Sequence, residues 1–315
     1  RLGVPAVAQD PRVPRSLQEL GSGPSETRQA ADSCRGVRYN PRMIFRDKTV
    51  IITGGSHGVG AATARQFAEA GANLMLVARG KKDLEAIAEE LRDKTRVETF
   101  PMDVTDPDAC VDVFKKAAFE FGRVDILINN AGYHARGEVA DVEAVDLARI
   151  IDVNLRAPVM LSRLALPYLK EQKEAAIVNV GSLKGFAPIP GSATYAATKA
   201  GLRSFTLALA EELRDTGIKI AIVSPGPVDT GFIMDDLDQT DNITLSQPLS
   251  TADEVAQTIL DLCGNRQEDV AMPWYTGVLA TMSYLSPWLS RQIRPVLERK
   301  GAKRKERLKA AQKSG

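Results

Sequence analysis

The sequence predicts an α/β protein with a single doubly wound domain, built on a parallel sheet of six to seven strands. Short apolar runs alternate with amphipathic stretches of helical periodicity from Lys48 to about residue 271. The runs are continuously apolar, which is typical of strands that helices cover on both faces. A glycine-rich turn follows the first run, where sheets of this kind place their ligands. These three observations favour one domain rather than two.

The elements follow in order along the chain. The first strand is TVIIT, and the turn GGSHGVG leads into the helix AATARQFAEAGA. The strand NLMLVAR, the helix KKDLEAIAEELRDK and the strand VETFPMDVT come next. Asp106 with Pro107 behind it predicts a helix start, and that helix leads into VDILINNAG. The remaining units are a helix over 154–170, the strand AAIVNVGS, a helix over 195–214, the strand IKIAIVSPG and the helix ADEVAQTILDLC, which Thr251 would cap.

The two ends of the chain differ in composition from this core. Residues 1–42 contain seven Arg, no Lys and five Pro with little apolar periodicity, which indicates a disordered or non-native extension. It could be an Arg-rich transit peptide or an upstream translated or cloned segment. We assign residues 43–271 to the catalytic domain, and residues 272–315 to an apolar aromatic segment followed by a basic tail.

Charge and cysteine content exclude several classes. The net charge of the 315-residue chain is +1, so the whole molecule has no electrostatic reason to bind nucleic acid. Three widely spaced cysteines give neither a disulfide framework nor a zinc pattern, and no metal site is expected. We therefore expect a reducing, cytoplasmic location, and in addition contact between the protein and a membrane surface.

A candidate catalytic group combines Ser182 with Tyr195 and Lys199. The spacing of four places the phenol and the amine on one face of a helix, and the hydroxyl ends an apolar strand at the carboxyl edge of the sheet. A nearby cation favours the phenolate and brings a phenol toward useful acid-base strength. The pattern indicates proton transfer to a carbonyl oxygen, provided that a hydride donor is bound. The alternative is three ordinary surface residues.

The hydride donor would bind at the glycine-rich turn. Glycine lets the backbone bend tightly and approach a pyrophosphate, whose charge is favoured at the helix N-terminus. Arg79 stands at the end of the second strand, at the position where an acid would hold the ribose 2′-hydroxyl of NAD(H). Its guanidinium suits the 2′-phosphate of NADP(H) instead. The sequence therefore predicts NADP(H), unless Arg79 only belongs to an exposed basic loop. The predicted turn residues are Thr53, Gly54, Ser56, His57, Gly58, Val59 and Gly60.

These motifs, in this order over roughly residues 46–271, resemble the short-chain dehydrogenase/reductase family and its Rossmann-type fold. They are TGGSHGVG, DV, NNAG, Asn154, Ser182, YAATK and PGPVDT. The resemblance implies that Asn154 holds a relay water, Ser182 polarises the carbonyl, Tyr195 is the acid-base, and Lys199 binds the nicotinamide ribose and lowers the tyrosine pKa. It further implies cofactor contacts by Asp103, Val104, Asn130, Ala131, Gly132, Pro225, Gly226, Val228 and Thr230.

Two residues depart from that pattern or sit beside it. His57 stands where the family often has serine or a basic residue, and it either contacts the 2′-phosphate or is an exposed turn residue. His134 follows NNAG and either faces the substrate cavity or is an incidental wall residue.

The expected function is NADP(H)-dependent reduction of a ketone or aldehyde to an alcohol, or the reverse, on a small substrate. Attachment to a membrane surface would suit a lipophilic one. The alternatives are an NAD-linked alcohol dehydrogenase and a nucleotide-binding sensor or scaffold without turnover. Apolar residues on more than one face of the helices over 154–170 and 195–214 predict a homodimer or homotetramer, as the resemblance also implies.

Two segments near the C-terminus lack strand patterning. Residues 226–250 hold five Asp and no Lys or Arg, and we interpret this acidic segment as mobile, closing over the site once ligand is bound. From Arg291 onward, ten Lys or Arg stand against two Glu, and both tryptophans of the chain lie just before them. This composition is typical of a surface that lies on an anionic membrane. The alternative is that the aromatics close the pocket and the tail is solvated.

Overall fold

A computed structural model describes residues 45–187 and 189–314. The interpretation of residues 1–42 falls outside these ranges. Within them, a seven-stranded sheet has the order β3-β2-β1-β4-β5-β6-β7, and all neighbouring strands pair in parallel. The strands are β1 Thr49–Thr53, β2 Asn73–Ala78, β3 Val97–Pro101, β4 Ile126–Asn129, β5 Ala175–Val180, β6 Ile218–Pro225 and β7 Asp269–Met272. The expected doubly wound parallel sheet of six to seven strands is confirmed.

Helices connect consecutive strands, as parallel pairing requires. The helices that connect one strand to the next are α1 Gly58–Glu69, α2 Lys81–Arg92, α3 Pro107–Phe121, α4 Ala144–Ile151, α5 Ala157–Leu169, α6 Ala193–Glu212 and α9 Ala252–Gly264. A π-helical turn, Asp152–Arg156, joins α4 to α5, and a 3-10 turn, Leu183–Phe186, follows β5. Two short helices, α7 Gly231–Met234 and α8 Asn242–Leu245, lie in the acidic segment, and the C-terminal helices are α10 Trp274–Leu285 and α11 Pro287–Ser314.

The core lies on the two faces of the central strands. β1 and β4 are buried along their whole length, and Ile51 and Leu127 belong to one apolar cluster with Phe114 of α3 and Leu161 of α5. Because β1 neighbours both β2 and β4, the connections that leave β1 and β4 depart in opposite directions. The crevice between these two strand ends is where an open α/β sheet binds its ligand.

Helix starts follow the capping signals. The Asp106 carboxylate accepts hydrogen bonds from the backbone N–H groups of Asp108 and Ala109, and Pro107 occupies the first turn, where no N–H is needed. Thr251 and Glu254 form a reciprocal capping box at the start of α9. Both predicted starts are confirmed, and they set the positions of helices that flank the sheet.

The C-terminal region is more regular than its sequence suggests. The residues assigned to an apolar aromatic segment and a basic tail form α10 and the 28-residue α11. The basic part of α11 packs back on the acidic segment, where Leu308 contacts the apolar cluster of Ile233, Leu237 and Leu245. Across the described ranges, no helix combines the length and the apolarity needed to cross a bilayer.

Candidate active site

The turn after β1 has the backbone of a phosphate cradle. Gly54 and Gly58 have φ angles of +68° and +50°, in the region that favours glycine. A Cβ atom at Gly60 would lie 2.0 Å from the carbonyl oxygen of Gly54, so no side chain fits there. The first turn of α1 has neither a capping side chain nor an acid, which leaves its N–H groups suited to an anion. The chain therefore fits the pyrophosphate of a dinucleotide.

Thr53 and Asn130 fix this turn to the end of β4. The Thr53 Oγ1 atom accepts hydrogen bonds of 3.0 Å from the backbone N–H groups of Asn130 and Ala131. The Asn130 side chain donates back to the carbonyl oxygens of Thr53 and Gly54 at 2.9 and 3.2 Å. Two loops that lie about 77 residues apart thus form one rigid wall of the crevice.

The residues predicted for the adenosine end lie at neighbouring strand ends. Val104 is buried, and the Asp103 carboxylate accepts hydrogen bonds from the backbone N–H and hydroxyl groups of Thr105. Burial by itself would raise the pKa of Asp103, but these bonds and the charges of Arg149 and Arg79 lower it. Arg79 is exposed just after β2, and among the described residues it has no hydrogen bond or salt bridge.

His57 takes part in a local network on the exposed turn. Its Nδ1 atom lies 2.9 Å from the Ser56 hydroxyl, and its Nε2 atom lies 3.9 Å from the Asp83 carboxylate. Both interactions are solvent-accessible and therefore weak. The imidazole is thus held beside an acid of α2, and its contact with a cofactor stays a prediction.

The predicted nicotinamide end is assembled from the segment after β6. The backbone N–H of Gly226 donates to Met272 at 2.8 Å, which ties the end of β6 to the edge strand β7. Val228 is buried and pairs with Ser250. Thr230 reaches the glycine-rich turn, since a Cβ atom at Gly58 would lie 3.1 Å from its methyl group. The predicted nicotinamide end therefore lies against the glycine-rich turn.

Asn154 lies in the π-helical turn between α4 and α5. Its side-chain oxygen accepts from the Tyr133 N–H at 2.8 Å, and its amide nitrogen donates to the Tyr133 carbonyl at 2.7 Å. Single π-helical turns are frequent at functional sites, since the extra residue redirects one side chain. Here the turn fixes Asn154 against the loop after β4, beside the predicted Gly132.

Ser182, Tyr195 and Lys199 come together as predicted. Ser182 follows β5, and its hydroxyl is hydrogen-bonded to the Tyr195 phenol. The Lys199 ammonium lies 5.7 Å from the centre of the Tyr195 ring and donates to the Val180 carbonyl at 2.8 Å. Both side chains are buried, within the first two turns of α6. Their arrangement allows a proton to be held at the phenol oxygen next to a second hydroxyl.

Burial sets the acidity of this group. It raises the pKa of Tyr195 to about 12, against the opposing effects of the Ser182 hydrogen bond and the Arg136 charge. It lowers the pKa of Lys199 to about 8. The phenol is consequently protonated at neutral pH and is ready to donate, while much of the Lys199 population stays charged.

Three further side chains surround Tyr195, and of these the motifs indicated only His134, as one of two alternatives. The His134 ring stacks on the Tyr195 ring at 4.3 Å, and its Nε2 atom lies 3.3 Å from the Ser192 hydroxyl. The Lys184 ammonium, 5.9 Å from the same ring, donates to Ser192 at 2.8 Å and to the Asp241 carboxylate at 2.7 Å. Arg136, whose side chain is 5% exposed, donates to the Phe232 carbonyl.

These neighbours change the electrostatics around the phenol. Burial, with the charges of Lys184 and Arg136, lowers the pKa of His134 to about 3, so the imidazole is neutral. The one local signal that could have indicated Lys184 is its position two residues after Ser182. Nothing in the sequence pairs it with Asp241, which lies 57 residues away.

The fold and the arrangement of this site are those expected of a dinucleotide-dependent oxidoreductase. The family model described as short chain dehydrogenase matches residues 48–241, and the chain belongs to the short-chain dehydrogenase/reductase family. It is a dehydrogenase or reductase enzyme that uses an NAD(P) cofactor. The roles of the individual site residues stay predictions.

Relatives and solved structures agree with this assignment. An uncharacterized oxidoreductase of Staphylococcus epidermidis is 35% identical over 185 residues, which are 59% of this chain and 80% of the relative. A short chain dehydrogenase from Burkholderia cenocepacia, solved in complex with NADP, is 30% identical with a TM-score of 0.64, covering 72% of this chain and 96% of its own. Levodione reductase is 26% identical with a TM-score of 0.68, covering 74% and 99%.

Proposed function

We propose that the protein is an NADP(H)-dependent reductase that converts a ketone or aldehyde to an alcohol, or catalyses the reverse reaction, on a small and lipophilic substrate. The observation that carries the proposal is the buried Tyr195 phenol, hydrogen-bonded to Ser182 and close to Lys199, at the carboxyl edge of the sheet. The glycine-rich turn that fits a pyrophosphate ends at the same edge.

The chemistry divides between the cofactor and the chain. The nicotinamide supplies or accepts the hydride when it is bound. In this proposal the Ser182 and Tyr195 hydroxyls hold the carbonyl oxygen, and Tyr195 gives its proton to that oxygen as negative charge develops. The resulting phenolate is stabilised by the Ser182 hydroxyl and by the Lys199 ammonium. Asn154 holds the loop after β4 against the site through its two hydrogen bonds to Tyr133.

Arg79 supports the choice of NADP(H) over NAD(H). Its guanidinium is exposed at the end of β2, where this fold binds the adenosine ribose, and it forms no salt bridge with the described residues, although its charge acts on nearby Asp103. Such a group forms bidentate hydrogen bonds with a phosphate. The NADP bound by the Burkholderia relative is consistent with this choice. An acid that would hold a ribose 2′-hydroxyl is absent from the end of β2 itself, since the next acid in the sequence is Asp83.

The proposal is tested by following the absorbance of NADPH and of NADH with a panel of aldehydes and ketones of increasing apolar size, and the reverse reaction with the matching alcohols. We expect turnover with NADPH and a preference for the larger apolar carbonyls. The Tyr195→Phe protein controls for contaminating activity. Tight NADPH binding without turnover on any member would support the sensor or scaffold alternative, and a preference for NADH would support the NAD-linked alternative.

Two further features belong to the same proposal. α5 and α6 carry half-buried apolar side chains such as Leu164, Leu166, Phe205 and Leu207, which a second copy of the chain would cover in a homodimer or homotetramer. Light scattering at micromolar concentration measures this, and a monomeric mass would contradict it. α10 exposes a run of apolar and aromatic side chains beside the cations of α11, a surface suited to an anionic membrane.

A further inference from the structure

The acidic segment, residues 226–250, lies between the active site and the C-terminal helix α11. Cations meet it on both sides, although it contains five Asp and no Lys or Arg of its own. The cations on its inner side belong to the loops that surround Tyr195, whereas those on its outer side belong to α11. Opposite charges on two faces hold a segment more firmly than either face alone, because each contact limits the movement that would break the other.

The inner contacts reach the catalytic group directly. The Lys184 ammonium donates to the Asp241 carboxylate and to Ser192, and it lies over the face of the Tyr195 ring. Asp241 in turn accepts from the backbone N–H and the hydroxyl of Thr244 at 2.7 and 2.8 Å, at the start of α8. The position of Lys184 beside Tyr195 therefore depends on where α8 begins.

The outer contacts determine where α8 begins. The Lys305 ammonium donates to the carbonyl oxygens of Asp238 and Thr240 at 2.6 and 3.0 Å, and Arg304 donates to the Gln247 carbonyl at 2.7 Å. The backbone at Gly301 lies against that of Asn242, where an added Cβ atom would lie 1.7 Å from the carbonyl oxygen. These contacts bracket α8 on both sides, with Lys305 bonded to the residue directly before Asp241.

We propose that α11 is a positioning element of the active site, in which Lys305 holds the turn before α8 so that Asp241 keeps Lys184 at Tyr195. The chain of contacts runs from Lys305 through the Thr240 carbonyl to Asp241, and then to Lys184 and the phenol. The family match ends at Asp241, so α11 lies beyond the matched residues. The catalytic consequence rests on the proposed function, whereas the mechanical link does not.

A positioning role for α11 differs from simple stabilisation of the fold in the measurable effects of losing it. A helix that merely covers apolar surface would change the stability of the whole domain. A positioning helix changes the order of residues 236–247, which contain α8 and the turn before it, and through Lys184 it changes proton transfer at Tyr195. Thr230 and the glycine-rich turn keep their places, so the affinity for NADPH is retained. Hydrogen bonds from a charged donor to two carbonyls account for a tenfold or larger effect on local opening.

The test compares Lys305→Met with Lys303→Met, an exposed lysine on the same helix, and with Lys305→Arg, which retains a cationic donor. Hydrogen exchange is measured by mass spectrometry on the full chain, together with the melting temperature and NADPH affinity. We expect exchange in residues 236–247 to rise about tenfold in Lys305→Met alone, to recover largely in Lys305→Arg, and to be unchanged in Lys303→Met. NADPH affinity should stay within about twofold in all three proteins.

Kinetics with any carbonyl that the enzyme reduces then separate a positioning role from a structural one. Lys305→Met should lower kcat about tenfold with a smaller change in KM, because Lys184 leaves the proton donor, and Lys305→Arg should recover most of the loss. Equal exchange in Lys305→Met and Lys303→Met would overturn the link between α11 and the acidic segment. Increased exchange with unchanged KM and kcat would overturn the positioning role. Because the exchange readout needs no substrate, failure of the proposed function is recognised separately, by absence of turnover in the unaltered enzyme.

Discussion

Tyr195 is surrounded by residues from three separate stretches of the chain. His134 stacks on its ring, Ser182 is hydrogen-bonded to its hydroxyl, and the ammonium groups of Lys184 and Lys199 both lie within 6 Å of the ring centre at 5.9 and 5.7 Å. Burial keeps the phenol protonated, while the cations favour the phenolate that forms once the proton has left. The site is therefore suited to donating a proton in the direction of reduction.

Replacing Tyr195 with Phe removes this proton donor without changing the shape of the ring. We expect turnover to fall by at least about 10²-fold, the usual effect of losing a general acid. NADPH binding, measured by its fluorescence, should be retained, because the stacking on His134 and the glycine-rich turn are unchanged. Near-normal turnover in Tyr195→Phe would show that another group supplies the proton.

Arg79 should determine the preference between the two nicotinamide cofactors. Arg79→Ala removes charge-assisted hydrogen bonds worth about 1.5 to 3 kcal/mol, and only NADPH has the 2′-phosphate that receives them. We therefore expect NADPH affinity to fall roughly 10- to 150-fold while NADH affinity hardly changes. Titration of each variant with both cofactors measures this, with NADH as the internal control. Equal losses for both would mean that Arg79 only stacks on the adenine.

His134 should make the protein less stable in acid. Its pKa in the folded chain is about 3, against a normal value of 6.5, so below pH 6.5 the unfolded chain takes up a proton here and the folded chain does not. The free energy of unfolding should fall by about 1.36 kcal/mol per pH unit as the pH drops from 6.5 toward 3. His134→Phe keeps the aromatic stacking on Tyr195 and should remove this contribution.

Denaturant unfolding between pH 4 and pH 7 measures the effect of His134. The control is His57→Gln, which removes the other histidine of the chain from an exposed turn. A shallower decline with acid in His134→Phe, and a decline like that of the unaltered protein in His57→Gln, is the expected pair of results. Parallel curves for the unaltered protein and His134→Phe would contradict the assignment.

The sequence predicted this site unevenly, for a physical reason. Ser182, Tyr195 and Lys199 could be found because a strand end and a helical spacing of four place them together by local geometry alone. Lys184, Arg136 and the role of His134 depend on contacts with Asp241, Phe232 and Ser192, each separated by more than 50 residues from its partner. Such contacts depend on how distant loops, including the acidic segment, come together, and no periodicity encodes that.

At the scale of the elements, the turn between β1 and α1 depends on glycine for space rather than for flexibility. Gly60 is inside α1 and has an ordinary helical backbone, but an added Cβ atom would collide with the Gly54 carbonyl and the Asn130 side chain at 2.0 and 2.6 Å. The turn would have to open, and Asn130 would lose its bonds to Thr53 and Gly54. A substitution here therefore distorts the cofactor cradle before it affects the helix.

We expect Gly60→Ala to abolish measurable NADPH binding. The control is Gly122→Ala at the end of α3, where φ is +76° and no atom lies within 4 Å of the added Cβ. That change should cost about 1 to 2 kcal/mol of stability through the left-handed backbone, yet leave NADPH affinity intact. Fluorescence titration and thermal unfolding of both variants measure the two effects. Normal NADPH affinity in Gly60→Ala would mean that the turn does not hold the cofactor.

Strong local patterns explain which elements could be predicted. β1, β2, β4, β5 and β6 are largely apolar runs, and α3 and α9 begin at capping residues, so their sequences specify them directly. β7 is only four residues long and half-buried, and its sequence DVAM resembles a loop. α11 has a polar composition with Pro295 inside it, and it forms a helix against the acidic segment rather than through its own periodicity. Tertiary contacts override local propensity at such places.

At the scale of the whole molecule, the uneven charge of the chain is partly an internal interaction. The tail from Arg291 has ten cations and two acids, and Arg304, Lys305 and Lys309 are directed at the acidic segment, where Lys309 pairs with Asp238. Other cations of α11 remain exposed, namely Arg291, Arg294, Arg299, Lys300, Lys303 and Arg307. Removing the whole tail would therefore disturb the acidic segment as well as the exposed surface of α10 and α11. Point substitutions are the better probe of that exposed surface.

The surface formed by α10 and the start of α11 is unusually apolar for its position beside so many cations. Trp274 and Trp288 are 74% and 70% exposed, and Val278, Leu279, Met282, Tyr284 and Leu285 are exposed between them. No charged residue occurs from Pro273 to Ser290. Stable peripheral attachment requires two signals. One is a set of apolar and aromatic side chains that insert at the lipid interface, and the other is a set of cations, each worth on the order of 1 kcal/mol near an anionic leaflet.

We therefore expect the protein to sediment with phosphatidylserine vesicles at low salt and not with neutral vesicles. High salt should weaken the attachment without abolishing it, because screening removes the electrostatic part and leaves the burial of the aromatics. A triple variant, Trp274→Ser, Leu285→Ser and Trp288→Ser, should lose most of the binding at either salt concentration. Phe119→Ser is the matched control, since this phenylalanine of α3 is 86% exposed with no cationic tail beside it, and binding should be unchanged. If the unaltered protein stays in the supernatant at low salt, the α10 surface has another partner, and a lipophilic substrate must reach the site from solution.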